Sequence, residues 1–296
     1  IVCVVMTITN PDTFPTFGNG AVVLLDTAQT GILACGMMVL MIAGMFDLSI
    51  GGIMAFSGII AGLVAKDMGM QPFAAFLAGC AWGMVLGGLN GFLVTKFRIN
   101  ALIATLATVS IYRGAMQILA PAGVANIGNG YEVFGQTKIL GIYSPFWFMA
   151  ATVILFGFLV ARTRFFRQYY YIGGNSRAAK LSGINVNRTV FLAFVVMGLL
   201  AGFAGALLAS RLNTAVVLAG TGVELKVITA VVLGGASLAG GVGSIPGAFL
   251  GVLFMAVIQN AMIVAGISPF WQQIAVGLVL LISVGLDQFA RARTRV

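Results

Sequence analysis

The long apolar runs of this chain do not alternate, and that limits its folds more than any other feature. Val190–Leu208 and Ile274–Val284 hold no charged residue and show no period of two. In lipid every backbone N–H and C=O must be bonded internally, so only helices or closed barrels can span a bilayer. Barrel strands alternate apolar and polar residues over about ten positions, and these runs do not. Charge is also too scarce for a wet surface. Only 8% of the 296 residues are charged and 60% are hydrophobic, where soluble domains carry about 25% charged residues. The expectation is an all-α, polytopic transmembrane helical bundle forming a single domain over 1–296.

Hydrophobic runs and their punctuation predict about ten spans: 1–9 (partial), 21–44, 49–65, 72–95, 101–118, 145–162, 190–209, 226–241, 246–264 and 270–287. Ile1–Ile8 is apolar from its first residue and reads as part of a first spanning helix, the N-terminus being truncated. Pro72, Pro145, Pro246 and Pro269 fall at helix starts, where the missing N–H costs nothing. Ser144 and Ser268 precede two of them as candidate N-caps. Short or broken helices are expected near 45–52 and 234–245. Each is an apolar run, a small-residue break with a serine, then another run: Asp47-Leu48-Ser49-Ile50-Gly51-Gly52 and Gly234-Gly235-Ala236-Ser237-Leu238-Ala239-Gly240-Gly241. Transporters are often built from such repeats, with glycine-interrupted segments near the solute path.

The formal net charge of +9 sits in a few loops. Lys96 and Arg98 follow one span. Arg162, Arg164, Arg167, Arg177, Lys180 and Arg188 fill a larger loop, 163–189 with its border, that holds no acid. Arg291, Arg293 and Arg295 form the tail. Positive loops stay cytoplasmic, so all three are assigned there, with both termini. An even number of spans separates them, as ten spans require. Loops 119–144 and 210–225 then face outward with the balanced set Glu132, Lys138, Arg211 and Glu224. The same reading accounts for the cations without nucleic acid.

Catalysis and metal binding find little support. No lysine is followed by Ser or Thr, so there is no P-loop. There is no histidine, hence no HExxH and no common zinc spacing. Cys3, Cys35 and Cys80 lie in apolar stretches and read as small buried hydrophobes. The chain therefore must borrow its energy or need none. An ion-coupled secondary transporter is the alternative, and it would be expected to show buried Asp, Glu or His relays.

Two places carry candidate function. An acid in an apolar run is a functional candidate by default, so Asp47 lines the path or shapes a gate at the break, and, compatibly with that, it or Ser49 can cap the helix that begins near Ile50. Asp26, near the outer end of its span, reads as interfacial. Further polar candidates for the path are Ser57, Asn90, Asn100, Thr105 and Ser237, with Gly51 and Gly52 at the break. The second place is the cytoplasmic stretch from Gly173 to Gly183. Gly173 and Gly174 break the preceding segment, and Asn175 or Ser176 can cap a short helix. That helix holds Arg177, Ala178, Ala179, Lys180 and Leu181, and Gly183 can end it in the left-handed conformation. So short a helix needs a partner surface, which could be its own spans, headgroups or another protein.

At these residues the sequence resembles the permease subunits of bacterial ABC importers for sugars, the ribose/arabinose/xylose-type family. Met45-Phe46-Asp47-Leu48-Ser49-Ile50-Gly51 is similar to the family's G-I-D-L-S-V-G element, with Met-Phe in place of Gly-Ile. Ile99-Asn100-Ala101-Leu102-Ile103-Ala104-Thr105-Leu106, Tyr112-Arg113-Gly114, the Ile172–Asn187 stretch and Val232-Leu233-Gly234-Gly235 with Ser237-Leu238-Ala239-Gly240-Gly241 follow in order. Val242 stands where relatives often have a basic residue. The resemblance implies carbohydrate import through a pore made by two permease subunits in the bacterial inner membrane, as a homo- or heterodimer. It implies two cytoplasmic ATPase subunits that bind ATP and Mg and dock on 173–187, with no cofactor in this chain. A periplasmic or extracellular solute-binding protein would dock on the outer loops.

Overall fold

The computed structural model describes residues 2–294, with side chains through residue 285. Arg291 and Arg293 have no described side chain and Arg295 lies outside the described residues, so the basic tail has no structural account.

Helices make almost all of the ordered backbone. In chain order they are α1 (Val2–Thr9), α2 (Phe17–Ile42), α3 (Ile50–Lys66), α4 (Pro72–Lys96), α5 (Ala101–Leu119), the single turn α6 (Val133–Gln136) and α7 (Ser144–Arg162). Then come α8 (Arg164–Gly174), α9 (Ser176–Leu181), α10 (Val186–Leu212), α11 (Val223–Leu233), α12 (Ile245–Val264) and α13 (Pro269–Thr294). Among the described residues the strands are two short antiparallel pairs, Val124–Ala125 with Thr214–Ala215 and Lys138–Ile139 with Ile142–Tyr143.

Local chemistry sets the helix starts. The side chains of Thr16, Asn100, Thr163, Asn175, Asn185 and Ser244 each accept a backbone N–H of the following turn, satisfying donors that a helix leaves orphaned. Ser144 does not cap α7, contrary to expectation. It belongs to the helix, and its hydroxyl donates to Phe134 O at 2.7 Å. Ser268 accepts from Phe270 N at a long 3.4 Å.

Six helices among the described residues are long and apolar enough to cross a membrane: α2, α4, α5, α7, α10 and α12. The predicted ten spans are therefore not all full-length. The difference is largest at 226–241, because α11 ends at Leu233 and the backbone then turns through Gly234–Ser244. Its 11 residues rise only ~16 Å, about half of a ~30 Å hydrocarbon core. α3 and the 269–285 part of α13 are shorter apolar helices.

Helices α2 and α10 form the centre, with α3, α4, α7 and α12 around them. The closest seam joins α4 to α10. Gly79, Gly83 and Gly87 recur every fourth residue on α4 and meet Gly198 and Gly202 of α10. Any Cβ at Gly83 would collide with the Gly198 carbonyl, and one at Gly198 with that of Gly83. Small-residue faces of this kind allow helices in lipid to gain packing that apolar area alone cannot supply. α5 and α7 form the periphery and keep large apolar side chains such as Ile103, Ile111, Ile154 and Phe158 exposed. Such a surface suits acyl chains.

Gly83→Leu should cost at least about 2 kcal/mol through overpacking of the seam. Its thermal midpoint in detergent should fall well below that of Gly88→Leu, whose position meets only the tips of Val195 and Phe191. Equal midpoints would contradict the role given to the seam.

Candidate functional site

Two helix breaks and the 163–185 segment converge at one end of the bundle. The first break, Ala43–Ser49, separates α2 from α3, and the second separates α11 from α12. They are joined directly, since Gly241 N–H donates to Ile42 O at 2.8 Å. Gly173 at the end of α8 sits on that bond, and a Cβ there would strike Ile42 O and Gly241 N. Gly240 (φ +86°) abuts Gly44 and Gly173 backbone in a conformation that side-chain-bearing residues rarely adopt. Tyr170 adds a third tie, its hydroxyl donating to Gly243 O at 2.8 Å. Burial pushes the Tyr170 phenol upward, so it remains a neutral donor. α8 buries Phe166, Tyr169 and Ile172 on one face, which holds it against the bundle.

From this anchored helix the chain turns into α9. Asn175 Oδ1 accepts from Arg177 N at 3.1 Å and Ala178 N at 3.0 Å. Gly183 takes φ +84° beyond the helix end. Cap and terminator are thus the ones expected. Only Ala179 of α9 is buried; Ser176, Arg177, Ala178, Lys180 and Leu181 are exposed, Leu181 at 90%. A short helix with one apolar contact and a bare leucine has little to hold it in isolation.

A buried polar network lies behind the first break. Asp47 Oδ1 accepts from Ser49 N at 2.8 Å and from Ser49 Oγ at 2.6 Å. Asn90 Nδ2 of α4 reaches Ser49 Oγ at 2.7 Å and Asp47 Oδ2 at 3.3 Å. Tyr112 Oη of α5 lies 2.9 Å from both Asn90 Oδ1 and Leu86 O. Asp47, Ser49 and Asn90 are all 0% exposed. The network therefore ties the break to α4 and α5 and lines no described cavity. Asp47 bonds the Ser49 N–H in a two-residue loop, and Ser49, the N-cap of α3, makes no side-chain capping bond.

The other candidate path residues are scattered. Gly51 meets the Gly220 carbonyl, and Gly52 meets Val109. Ser57 is buried with an unpartnered hydroxyl, Thr105 bonds Ala101 O of its own helix, and Asn100 caps α5 at an exposed position. Ser237 accepts from Ala239 N within the second break. At the opposite end, loop 120–143 closes over the end of α10: Tyr131 Oη donates to Ala206 O and Ser210 Oγ to Tyr131 O. Arg211 faces Asp26 at 3.9 Å, Lys138 lies over the Tyr143 ring and Glu132 buries one carboxylate oxygen without a partner. Glu224 turns inward toward Gly51.

Sequence reasoning passed over a cavity of about 780 Å³ between α2, α11, α12 and α13. Gln29, Thr30, Lys226, Gln259, Gln272 and Gln273 line it. No single motif marks it. The available signal was the presence of amides inside apolar spans, which turn toward a cavity or bundle interior rather than lipid.

Comparison with known proteins matches residues 21–284 to the family described as branched-chain amino acid transport system / permease component. The L-arabinose transport system permease protein AraH of Escherichia coli (strain K12) is 38% identical over 283 residues, 95% of this chain and 86% of that protein. The ribose import permease protein RbsC of Bacillus subtilis (strain 168) is 38% identical over 292 residues, 97% of this chain and 90% of that protein. RbsC of Escherichia coli (strain K12) is 35% identical over 279 residues, 93% of this chain and 87% of that protein. No solved structure matches.

Tyr112→Phe should lower stability by about 1–3 kcal/mol, because Asn90 Oδ1 is left buried without a donor. The double variant Tyr112→Phe/Asn90→Leu should lose less than the sum of the singles, as partners in one network do. Additive losses in detergent unfolding would contradict the network.

Proposed function

Because this chain belongs to the branched-chain amino acid transport system / permease component family, we propose that it forms the translocation path of an ABC importer for a sugar or similar small polar solute. It is a multi-pass membrane transport subunit, not an enzyme. The basic loops lie in the cytoplasm with both termini, and 1–296 is one permease domain with 163–189 as its coupling loop. A second permease subunit completes the pore. Two ATPase subunits bind ATP and Mg and dock on the exposed face of α9. A solute-binding protein delivers cargo on the side of loops 119–144 and 210–225. The sugar assignment draws on relatives whose names specify L-arabinose and ribose.

The observation that carries this reading is the seating of Gly173 on the Ile42–Gly241 bond. A push on α9 reaches α8 across Asn175, and α8 bears directly on both helix breaks without an intervening flexible side chain. Closing of the ATPases on ATP would thus reorient α2–α3 and α11–α12 together and open the path to the loaded binding protein. The bulky side chain missing at Gly173 is what lets the backbones meet. The buried Asp47–Ser49–Asn90 network keeps the first break in one shape while it moves. Buried acids elsewhere in the described spans are too few for an ion relay.

Uptake into vesicles should require the partner ATPase and ATP; uptake driven by a proton or sodium gradient alone would overturn the importer reading. Deleting 176–182 should abolish co-purification of the ATPase. Gly173→Val should leave the ATPase bound but cut uptake by at least about ten-fold, a barrier change of ~1.4 kcal/mol or more. Undiminished uptake would contradict the coupling route.

A further inference from the structure

The glutamine-lined cavity is the feature that the coupling machinery does not use. It lies in the half of the bundle away from the two breaks, walled by the first half of α2, the start of α11, the end of α12 and the start of α13. Its volume of about 780 Å³ falls within the roughly 300–1,000 Å³ of small-molecule sites. Gln29 Nε2 is buried there without a hydrogen-bond partner. Such a donor costs stability unless something satisfies it.

We infer that this cavity is a solute station on the translocation path, and that Gln29, Gln259 and Gln272 select a neutral polyhydroxylated molecule there. This inference rests on the importer reading above. An amide offers two donors and an acceptor on one planar group. A sugar hydroxyl likewise donates and accepts, so a ring of amides can hold it in several orientations without fixing it tightly. Thr30 and Thr221 add hydroxyls of the same dual character, and Val276 and Leu280 give an apolar wall for the C–H face of a ring.

Charge argues against a ligand that carries an ammonium. Asp26 at the rim faces Arg211 at 3.9 Å and also lies in the field of Lys226. One carboxylate among two cations has no free valence for the ammonium of an amino acid. A zwitterionic solute would leave that group unpaired, at the usual cost of a desolvated charge. Hydroxyls ask only for the amides.

The test uses the complete transporter in vesicles: this chain, its ATPase and its solute-binding protein. The probes are D-ribose, L-arabinose, D-xylose, D-galactose and leucine. Uptake is read as the maximal rate at saturating binding protein. The parent should take up a sugar and not leucine. Gln29→Leu/Gln259→Leu keeps much of the side-chain volume and removes the amides. Its maximal sugar uptake should fall at least about ten-fold, and its preference for that sugar over the matching deoxy sugar should shrink, because a site built to bond a hydroxyl rejects the analogue lacking it. Gln272→Ala, at a partly exposed position that folding tolerates more readily, should show the same narrowing. Rates within about two-fold of the parent with unchanged discrimination would overturn the site. Leucine transported in place of sugars would overturn the ligand class while leaving an ATP-driven importer. A parent that moves none of the five under ATP would overturn the importer reading and this inference with it.

Discussion

The hydrogen bond from Gly241 to Ile42 O organises the functional end of this protein. A buried helix break leaves backbone groups without intrahelical partners, and each needs another one. Here the two breaks satisfy each other, and they can do so only because Gly44, Gly173, Gly240 and Gly241 bring three backbone segments into contact. A helix that leaves the bundle for the basic loop is thereby welded to both interruptions. The same strategy recurs deeper in the bundle, where Gly83 and Gly198 bring α4 and α10 together. Backbone contact without side chains leaves few soft degrees of freedom, so displacements pass from one element to the next.

Stiffness at the breaks contrasts with the cleft lined by glutamines. The Asp47–Ser49–Asn90–Tyr112 network is closed and buried, each member bonded to another. The cleft holds amides with few partners of their own. A satisfied buried network specifies one arrangement, whereas unsatisfied polar groups around a cavity have capacity left for a guest. That division separates what holds the protein together from what meets a solute.

Much of this was legible in the sequence. Pro72, Pro246 and Pro269 mark helix starts, Asn175 and Gly183 delimit α9, and the small-residue breaks fall close to where the backbone turns. These are local signals, each set by dihedral preference or by a cap within one turn. The resemblance across Ile172–Asn187 is what singles that stretch out as a candidate docking segment, and the family match bears out the permease reading. What escaped is non-local. Asp47 and Asn90 are 43 residues apart, so no spacing rule pairs them. Apart from Gly51 and Gly52 at the break, the candidate path residues rest on polarity, and polarity cannot say whether a side chain faces a cavity or another side chain. The span at 226–241 was overdrawn because apolar residues continue past Leu233, although Gly234 and Gly235 have already turned the backbone. The glutamines carry no such local signal because Gln29, Gln259 and Gln272 come from three different helices and share no motif.

The central claim is that α9 and the two breaks move as one body. Spin labels at Ser182, beyond α9, and Val242, in the second break, occupy exposed positions. Their separation should stay constant between the nucleotide-free and the ATP-bound complex in vesicles, while the distance from Ser182 to Ser268 at the other end of α12 changes. A change in the Ser182–Val242 distance with a fixed Ser182–Ser268 distance would contradict the account.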